Sequence, residues 1–290
     1  GLNSPWAFNP GVEEEPVLAC RRSYHILMTD GEYGHSAWNA PSPFKERDMS
    51  GPDGVRIVRG GNADGSDTTL PDGTRYSITN EQTKLYRDNW GSADLSSLSD
   101  LSFYYWSRDL QPGIPNQLRP PAQQSLGPEE FGTDTHSAML DPYWNPRNNP
   151  ATWQHMVNYT IGFLSASSWS GAPVWHGDTF TGLGGLIRGN VGWVTPFCGA
   201  NSSGSGNLPC DGGTNYERRG DARKAELWHT ALNSRGRFVP APDANALVVA
   251  FQNILNEITV TAGAGSVSIA ATSGRHTQDQ LIYEAEYDSD

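Results

Sequence analysis

The alternation of apolar and polar positions predicts two strands that lie far apart in the chain. Residues 23–29 (SYHILMT) form a continuous, mostly apolar run that ends at an Asp-Gly corner. Such a run is typical of a strand buried on both faces of a parallel sheet. Residues 155–163 (HMVNYTIGF) place Val157, Tyr159 and Ile161 at alternate positions, which predicts a second strand.

Three further segments predict helices. Residues 97–110 and 221–233 carry apolar side chains at helical spacing, and Asp221 is a candidate N-cap of the second helix. Residues 243–258 have the strongest apolar stripe, with Asp243 as N-cap, and a short extended piece, RGRFVPA, precedes them. Because strands and helices alternate, we predict an α/β fold with an open, mostly parallel sheet.

The same pattern suggests how the chain is divided into domains. Two stretches at about 35–95 and 165–222 are rich in Gly, Pro, Asn and Asp and lack periodicity, so we interpret them as insertions. After residue 260 the segment AGAGS is linker-like, and SVSIAA and LIYEAEY alternate with period two. We therefore predict an α/β domain over 1–260, and a linker and the first strands of a β-rich domain over 261–290.

Charge narrows the classes of partner. The 290 residues include 20 basic and 32 acidic side chains, which gives a formal net charge of −12. This balance argues against nucleic-acid binding, because phosphate backbones would be repelled, and it favours divalent cations or a basic protein partner. No run of about 18 apolar residues occurs, so no membrane-spanning segment is predicted.

The cysteines suggest an oxidising compartment. Cys198 and Cys210 bracket a Gly/Ser-rich loop, and a disulfide between them is expected to restrain it. Two free thiols are the alternative. Cys20 either pairs with a cysteine outside this chain or is an ordinary small buried residue.

Asp30 is the first candidate metal ligand. Ligands of open α/β sheets lie at the carboxyl ends of the strands, and Asp30 directly follows the first predicted strand, beside Thr29 and Glu32. A carboxylate in this position suits a hard cation such as Mg²⁺, which requires further oxygen ligands. The alternative is a carboxylate that caps the following turn.

A second acidic loop, residues 60–73, offers Asn62, Asp64 and Asp67 around a glycine. An EF-hand register fails, because Gly60 takes the first ligand position, where Asp is required. A looser calcium loop and a loop built on Asx turns remain as alternatives.

Three common catalytic and phosphate-binding motifs are absent from the sequence. A Gly-x-Ser-x-Gly elbow, a His-Glu-x-x-His motif and a phosphate-binding Walker loop do not occur. His25, His155 and His229 lie on predicted strands and helices, and we interpret them as structural. We therefore predict that the chain is not an enzyme.

Five segments carry a family resemblance: CRRSYHILMTDG, LSDLSFYYWSRDL, WQHMVNYTIGF, ELWHTALNSRGRFVPA, and the last predicted helix together with LIYEAEYDSD. They occur in the order seen in the N-terminal region of PilY-type proteins, adhesins at the tip of type IV pili, and the chain resembles that region. The piece ILMTDGE also resembles the third metal-site motif of von Willebrand factor A (vWA) domains.

The resemblance implies a vWA-like, Rossmann-like domain that is enlarged by insertions, lacks its first strands and is followed by a β-propeller. In vWA domains a metal-ion-dependent adhesion site combines an Asp-x-Ser-x-Ser loop, a Thr from a later loop and the Asp of Thr-Asp-Gly. Only the last of these maps here, onto Asp30, and the other ligands are expected upstream of this chain. The implied cation is Mg²⁺, or Ca²⁺ or Mn²⁺, in the complete domain.

The implied function is adhesion and pilus biogenesis at the tip of the type IV pilus, on the bacterial cell surface after export through the periplasm. The implied partners are minor pilins or the tip complex, a host or surface receptor, and the upstream part of the same protein. The first alternative is a structural capping or assembly factor that docks on minor pilins without metal-dependent binding of its own. A metal-dependent hydrolase is the remote alternative.

Overall fold

A computed structural model describes nine ranges of the chain: residues 6–8, 17–29, 62–88, 97–119, 127–131, 138–163, 183–189, 192–193 and 217–262. Asp30, Cys198, Cys210 and the predicted β-rich segment after residue 262 lie outside these ranges, so the expectations for them stay predictions. No helix among the described residues is long and apolar enough to cross a bilayer.

The described ranges contain seven strands, four α-helices and one 3₁₀ helix. The strands are β1 (Ser23–Thr29), β2 (Thr68–Thr69), β3 (Arg75–Tyr76), β4 (Glu129–Phe131), β5 (Ala138–Leu140), β6 (Met156–Gly162) and β7 (Phe238–Pro240). The helices are the 3₁₀ helix (Glu81–Tyr86), α1 (Leu98–Trp106), α2 (Leu183–Arg188), α3 (Glu217–Asn233) and α4 (Ala244–Ala262).

A parallel sheet of three strands, in the order β1-β6-β7, forms the frame. β1 and β6 run in register from Ser23 opposite Met156 to Thr29 opposite Gly162. β7 pairs with the second half of β6, starting with Phe238 opposite Thr160, and is also parallel to it. The prediction of a parallel α/β sheet is therefore confirmed, although the two long strands lie more than 120 residues apart in the chain.

The two long strands differ in burial, and one prediction about them is wrong. β6 is buried along almost its whole length, whereas β1 is mostly half-buried, with His25 exposed and Met28 46% exposed. The apolar run of β1 suggested burial on both faces, but most of its side chains are only half-buried. Among the described strands, β1 also lies at an edge of the sheet, paired only with β6. Hydrophobic periodicity detects an apolar segment, but it does not reveal how many strands or helices pack against that segment.

One face of β6 packs against α4 in a compact apolar layer. Asp243 caps this helix as predicted, because its Oδ1 accepts the N–H of Ala246 at 2.8 Å. The buried members of the layer are Val157, Tyr159, Ile161, Ala241, Ala250, Ile254 and Ile258. Alternate positions on β6 therefore meet the helical stripe of α4, as the two periodicities require.

The other face of β6 is polar and lies against α1 and α3. Asn158 Nδ2 donates to Ser102 Oγ on α1 at 2.8 Å, and Thr160 Oγ1 donates to the carbonyl of Leu227 on α3 at 2.7 Å. Helices thus cover both faces of the sheet, which makes the described fold a layered α/β structure compatible with a Rossmann-like arrangement.

Helix α1 begins close to its predicted start. Ser97 is its N-cap, and Asp100 completes a capping box by accepting the Ser97 N–H at 3.0 Å. Helix α3 begins at Glu217, so Asp221 lies inside the helix and its prediction as N-cap is wrong. The polar run before Asp221 carries enough helix-forming residues to extend α3 by about one turn.

The end of α3 is tightly packed against the sheet. Gly236 N–H donates to the carbonyl of Ala231 at 2.9 Å and Arg235 N–H donates to that of Leu232 at 3.0 Å, the pattern of a Schellman cap. Arg235 occupies the left-handed position, with φ of 66°, where glycine is usually favoured. A Cβ on Gly236 would lie 2.0 Å from the carbonyl oxygen of Asn158, so this position requires glycine.

A second core lies between α1, α3 and the segment 62–88. It is rich in aromatic side chains, among them the fully buried pair Trp106 and Trp153, whose rings meet edge-on at 5.6 Å. Its other large members include Leu70, Tyr76, Leu85, Tyr86, Phe103, Phe131, Leu140 and Trp228. Residues from the first predicted insertion therefore contribute to the core.

The packing of α4 on β6 gives a stability prediction. Ile254→Ala should lower the free energy of unfolding by about 2–4 kcal/mol, because Ile254 is 1% exposed and its removal leaves a cavity in a closed layer. Val248 on the same helix is 55% exposed, so Val248→Ala is the matched control and should change stability by less than about 0.5 kcal/mol. Urea unfolding of both variants measures the difference, and equal losses would contradict this packing.

Candidate metal site

Three parts of the second core bring two aspartates and a histidine together. Asp64 lies in the turn before β2, Asp88 follows the 3₁₀ helix, and His229 lies on α3. One possible ligand atom from each residue lies within 4.8 Å of the others, and all three residues are buried. We call these three residues the Asp-Asp-His group.

Asp64 is held by both its backbone and its carboxylate. Tyr76 OH donates to the Asp64 carbonyl at 2.5 Å, and the Asp64 N–H donates to Asp100 Oδ1 at 3.3 Å. The carboxylate accepts the backbone N–H of Asp88 at 3.0 Å and Nδ2 of Asn233 at 2.8 Å. These contacts aim the side chain of Asp64 into the core, away from the surface loop that carries it.

The N-terminus of α1 faces the same acidic group. Ser99 Oγ donates to Asp88 Oδ2 at 3.4 Å, and the Ser99 N–H donates to Glu226 Oε1 at 2.9 Å. The free N–H groups and the dipole at a helix N-terminus stabilise negative charge. The first turn of α1 therefore offsets part of the charge of Asp88, Asp100 and Glu226.

One ring nitrogen of His229 is hydrogen-bonded, and the other has no hydrogen-bond partner. Nε2 lies 2.8 Å from the carbonyl oxygen of Tyr86, and because a carbonyl can only accept, Nε2 carries the hydrogen. Trp193 stacks on the ring with 4.2 Å between centroids and 9° between planes. Nδ1 has no hydrogen-bond partner and lies 3.9 Å from Asp88 Oδ2. In the neutral ring, Nδ1 therefore carries a free lone pair close to Asp88, while Nε2 lies 3.6 Å from Asp64 Oδ2.

Burial controls the ionisation of these groups. Burial, reinforced by the charges of Asp88 and Asp100, raises the pKa of Asp64 well above its usual range. Burial also raises the pKa of Asp100 to about 6 and that of Glu226 to about 7. The same loss of solvent lowers the pKa of His229 well below its usual value, which keeps the imidazole neutral.

The cationic side chain of Arg235 lies in the same core. It packs over the rings of Tyr86, at 4.2 Å from the centroid, and Trp106, at 4.6 Å. Burial lowers its pKa to about 9, so the guanidinium stays charged at neutral pH. Its Nε and Nη1 atoms have no hydrogen-bond partner, and the two aromatic faces are therefore its main support.

The three residues proposed for the second acidic loop have separate partners. Asn62 Oδ1 accepts the Gly65 N–H at 2.8 Å, which is a local Asx-type turn. Asp67 is on the surface and pairs with Arg75 Nη2 at 2.9 Å. Asp64 points into the core. The structure does not bring the three side chains to a common point, and a cation shared by them stays a prediction.

Sequence reasoning missed most of the Asp-Asp-His group. The sequence indicates Asp64 only as part of an acidic loop and His229 as a structural residue, and no motif contains Asp88. The available sequence signal was weak: a histidine beside Trp228 on a predicted helix. Cys20 is exposed, so its interpretation as a buried residue is wrong, and pairing outside this chain stays a prediction.

The two other histidines that the sequence singled out have ordinary structural roles. His155 is buried; its Nδ1 donates to the carbonyl of Trp153 at 2.8 Å, and its Nε2 accepts Asn149 Nδ2 at 2.9 Å. His25 pairs with Asn158 Oδ1 at 2.9 Å across the two long strands. His155 is thus a fully bonded core residue, unlike His229.

The fold and the site together define a layered α/β protein with a parallel sheet and a buried Asp-Asp-His group. The chain is 37% identical over 262 residues to the type IV pilus biogenesis factor PilY1 of Pseudomonas aeruginosa strain PAO1 and 36% identical to that of strain PAK. It is 34% identical over 288 residues to PilY1 of strain UCBPP-PA14. The chain is therefore a PilY-type sequence, and the family resemblance is confirmed.

The similarity covers most of this chain but a small part of each relative. The matched residues are 89% to 96% of this chain and 17% to 20% of the PilY1 proteins. No family model matches the chain. No solved structure matches it either.

The bonding of His155 gives a pH prediction. Burial lowers its pKa to about 3, below the 6.5 of an ordinary histidine, so between these values the unfolded chain binds a proton that the folded chain does not. Folding stability should therefore fall as pH drops through this window. His155→Gln should remove about 2–3 kcal/mol of the stability difference between about pH 7 and about pH 4.5.

Urea unfolding at the two pH values measures this difference. Ile254→Ala is the control, because it weakens the core without removing a titratable group. An unchanged pH dependence in His155→Gln would show that this histidine is not held neutral in the folded state.

Proposed function

We propose that this chain is a segment of a PilY-type protein that acts in type IV pilus biogenesis at the bacterial cell surface. The observation that carries the proposal is the similarity to PilY1 proteins over 89% to 96% of the chain. The acidic composition supports protein partners rather than nucleic acid. Its partners would be minor pilins or the complex at the pilus tip.

Within that role, we propose that the α/β domain is vWA-like and binds a host or surface receptor through a divalent cation held by Asp30. The parallel pairing of β1 with β6, and the helices on both faces, support this assignment. β1 ends at Thr29 opposite Gly162, and the carboxyl ends of such strands are where α/β proteins place their ligands. Asp30 is the next residue in the sequence. The remaining cation ligands would come from the upstream part of the protein.

The structural alternative is a capping or assembly factor that docks on minor pilins. It is supported by the burial of the Asp-Asp-His group, in which Asp64 and His229 are at most 1% exposed. A cation in that position would have no open coordination site for a partner. The same burial argues against a metal-dependent hydrolase that uses this group, because a substrate would have to reach a closed core.

Allelic replacement in the native bacterium tests the proposal and separates the two roles. Deletion of the gene should abolish or strongly reduce surface pili, measured by immunoblot of sheared pilin. Asp30→Ala in the complete protein should leave pili at normal levels but weaken receptor or surface attachment by at least about tenfold, because one cation ligand is lost. Glu130→Ala, which removes an exposed carboxylate on β4, is the control and should leave both properties unchanged.

Three other outcomes would contradict part of the proposal or favour the structural alternative. Normal pili after deletion of the gene would overturn the biogenesis role. Attachment that is unaffected by Asp30→Ala, or by chelator, would overturn cation-dependent binding. Fewer pili in Asp30→Ala, with unaltered attachment by the purified protein, would favour the structural alternative.

A further inference from the structure

We propose that Asp64, Asp88 and His229 bind one divalent cation of the zinc class, buried inside the second core as a structural ion. The inference rests on the geometry of the described residues alone and does not depend on the role of Asp30. Two carboxylates and one imidazole from three separate parts of the chain converge here, with ligand atoms within 4.8 Å of one another.

The orientation of His229 is the main evidence. Histidines that bind metal usually donate their other ring N–H to a backbone carbonyl or carboxylate, which fixes the tautomer and aims the bare nitrogen at the ion. His229 has this arrangement: Nε2 donates to the Tyr86 carbonyl at 2.8 Å and Nδ1 is unpartnered in a residue that is 1% exposed. Stacking on Trp193 further restricts the ring.

Nδ1 lies near a carboxylate oxygen of Asp88 that also accepts a hydrogen bond from Ser99 Oγ at 3.4 Å. Asp88 Oδ2 lies 3.9 Å away, and both atoms are electron-rich when the imidazole is neutral and the carboxylate ionised. Two such atoms repel each other in a low-dielectric core. A cation bonded to both would convert this repulsion into two favourable contacts.

Helix α3 offers a further oxygen beside the same three residues. Asn233 lies four residues after His229 and therefore on the same face of the helix. Its Nδ2 donates to Asp64 Oδ2 at 2.8 Å, while its Oδ1 is buried and has no hydrogen-bond partner. The amide oxygen of Asn233 is therefore a candidate fourth ligand.

The ligand types indicate the class of metal. Imidazole nitrogen suits Zn²⁺ and neighbouring transition metals, whereas Ca²⁺ and Mg²⁺ prefer sites made only of oxygen atoms. Ligand atoms on a tetrahedral ion with bonds of about 2.1 Å are about 3.4 Å apart. The separations here, up to 4.8 Å, would need each side chain to move inward by less than about 1 Å.

The number of buried carboxylates in this core also favours a bound divalent cation. Asp100 and Glu226, at most 1% exposed, lie next to the Asp-Asp-His group. Buried carboxylates are strongly unfavourable unless a positive charge or several donors compensate them. A divalent ion would balance two of these charges and would tie the segment that carries Asp64 to helix α3.

Metal analysis of the purified 290-residue chain tests the proposal. The chain is prepared without chelators or metal-affinity resin, and elemental analysis should find close to one equivalent of a transition metal. After dialysis against chelator, added Zn²⁺ or Mn²⁺ should raise the melting temperature by several degrees, because binding only to the folded state stabilises it. Ca²⁺ and Mg²⁺ should have little effect at the same concentration.

Isosteric variants assign the ligands. Asp88→Asn and His229→Gln should each weaken Zn²⁺ binding by at least about tenfold. His155→Gln is the matched control, because it removes another buried histidine whose two nitrogens are already paired, and it should retain wild-type affinity. Visible absorption of the Co²⁺-loaded wild-type chain gives a measurement that is independent of how well the variants fold.

Four results would overturn the proposal. These are a chain that neither contains nor binds a transition metal, a Co²⁺ spectrum identical to that of the free hydrated ion, Zn²⁺ binding unchanged in both ligand variants, and stabilisation by Ca²⁺ or Mg²⁺ alone. In the first case protons shared among the carboxyl groups, rather than a metal, would hold this part of the core together.

Discussion

The burial of carboxyl groups in an aromatic core is the constraint on which the described structure depends. Asp64, Asp100 and Glu226 are at most 1% exposed, and Asp88 is 6% exposed. Such groups destabilise a fold unless donors or positive charges face them. The donors here come from separate segments: the first turn of α1, the backbone after the 3₁₀ helix, and Asn233 on α3. Hydrogen bonds to the buried carboxylates therefore link these segments to one another.

Helix α3 connects this acidic core to the sheet through polar contacts on both sides. Towards the sheet, its Leu227 carbonyl accepts from Thr160, and Ser234 Oγ accepts the N–H of Asn158. Towards the acidic core it presents Glu226, His229 and Asn233. Hydrogen bonds are directional, so a helix held in this way has fewer acceptable positions than one held by apolar packing alone. The apolar layer between β6 and α4 then closes the opposite face of the sheet.

Local patterns predicted the frame of the fold well. β1, β6 and α4 lie where periodicity placed them. The N-cap Asp243 could be predicted because its side chain accepts a backbone N–H only three residues further along the chain. The edge position of β1 could not be predicted, since burial of a strand depends on neighbours that its own sequence does not specify.

The Asp-Asp-His group could not be predicted for a related reason. Asp64, Asp88 and His229 are distant in sequence and meet only after α1 and α3 have packed on the segment 62–88. None of the three lies in a motif with recognisable spacing, and the bare Nδ1 of His229 depends on the position of the Tyr86 carbonyl. The family resemblance indicated the type of protein and a metal ligand at Asp30, but it implied nothing about this core.

Anomalous X-ray scattering from crystals of the chain tests the buried metal site most directly. Data collected at the absorption edges of the first-row transition metals should show one peak, bonded to His229 Nδ1 and to carboxylate oxygens of Asp64 and Asp88. Crystals with no anomalous peak there, and with His229 Nδ1 hydrogen-bonded to a protonated Asp88 carboxyl, would contradict it.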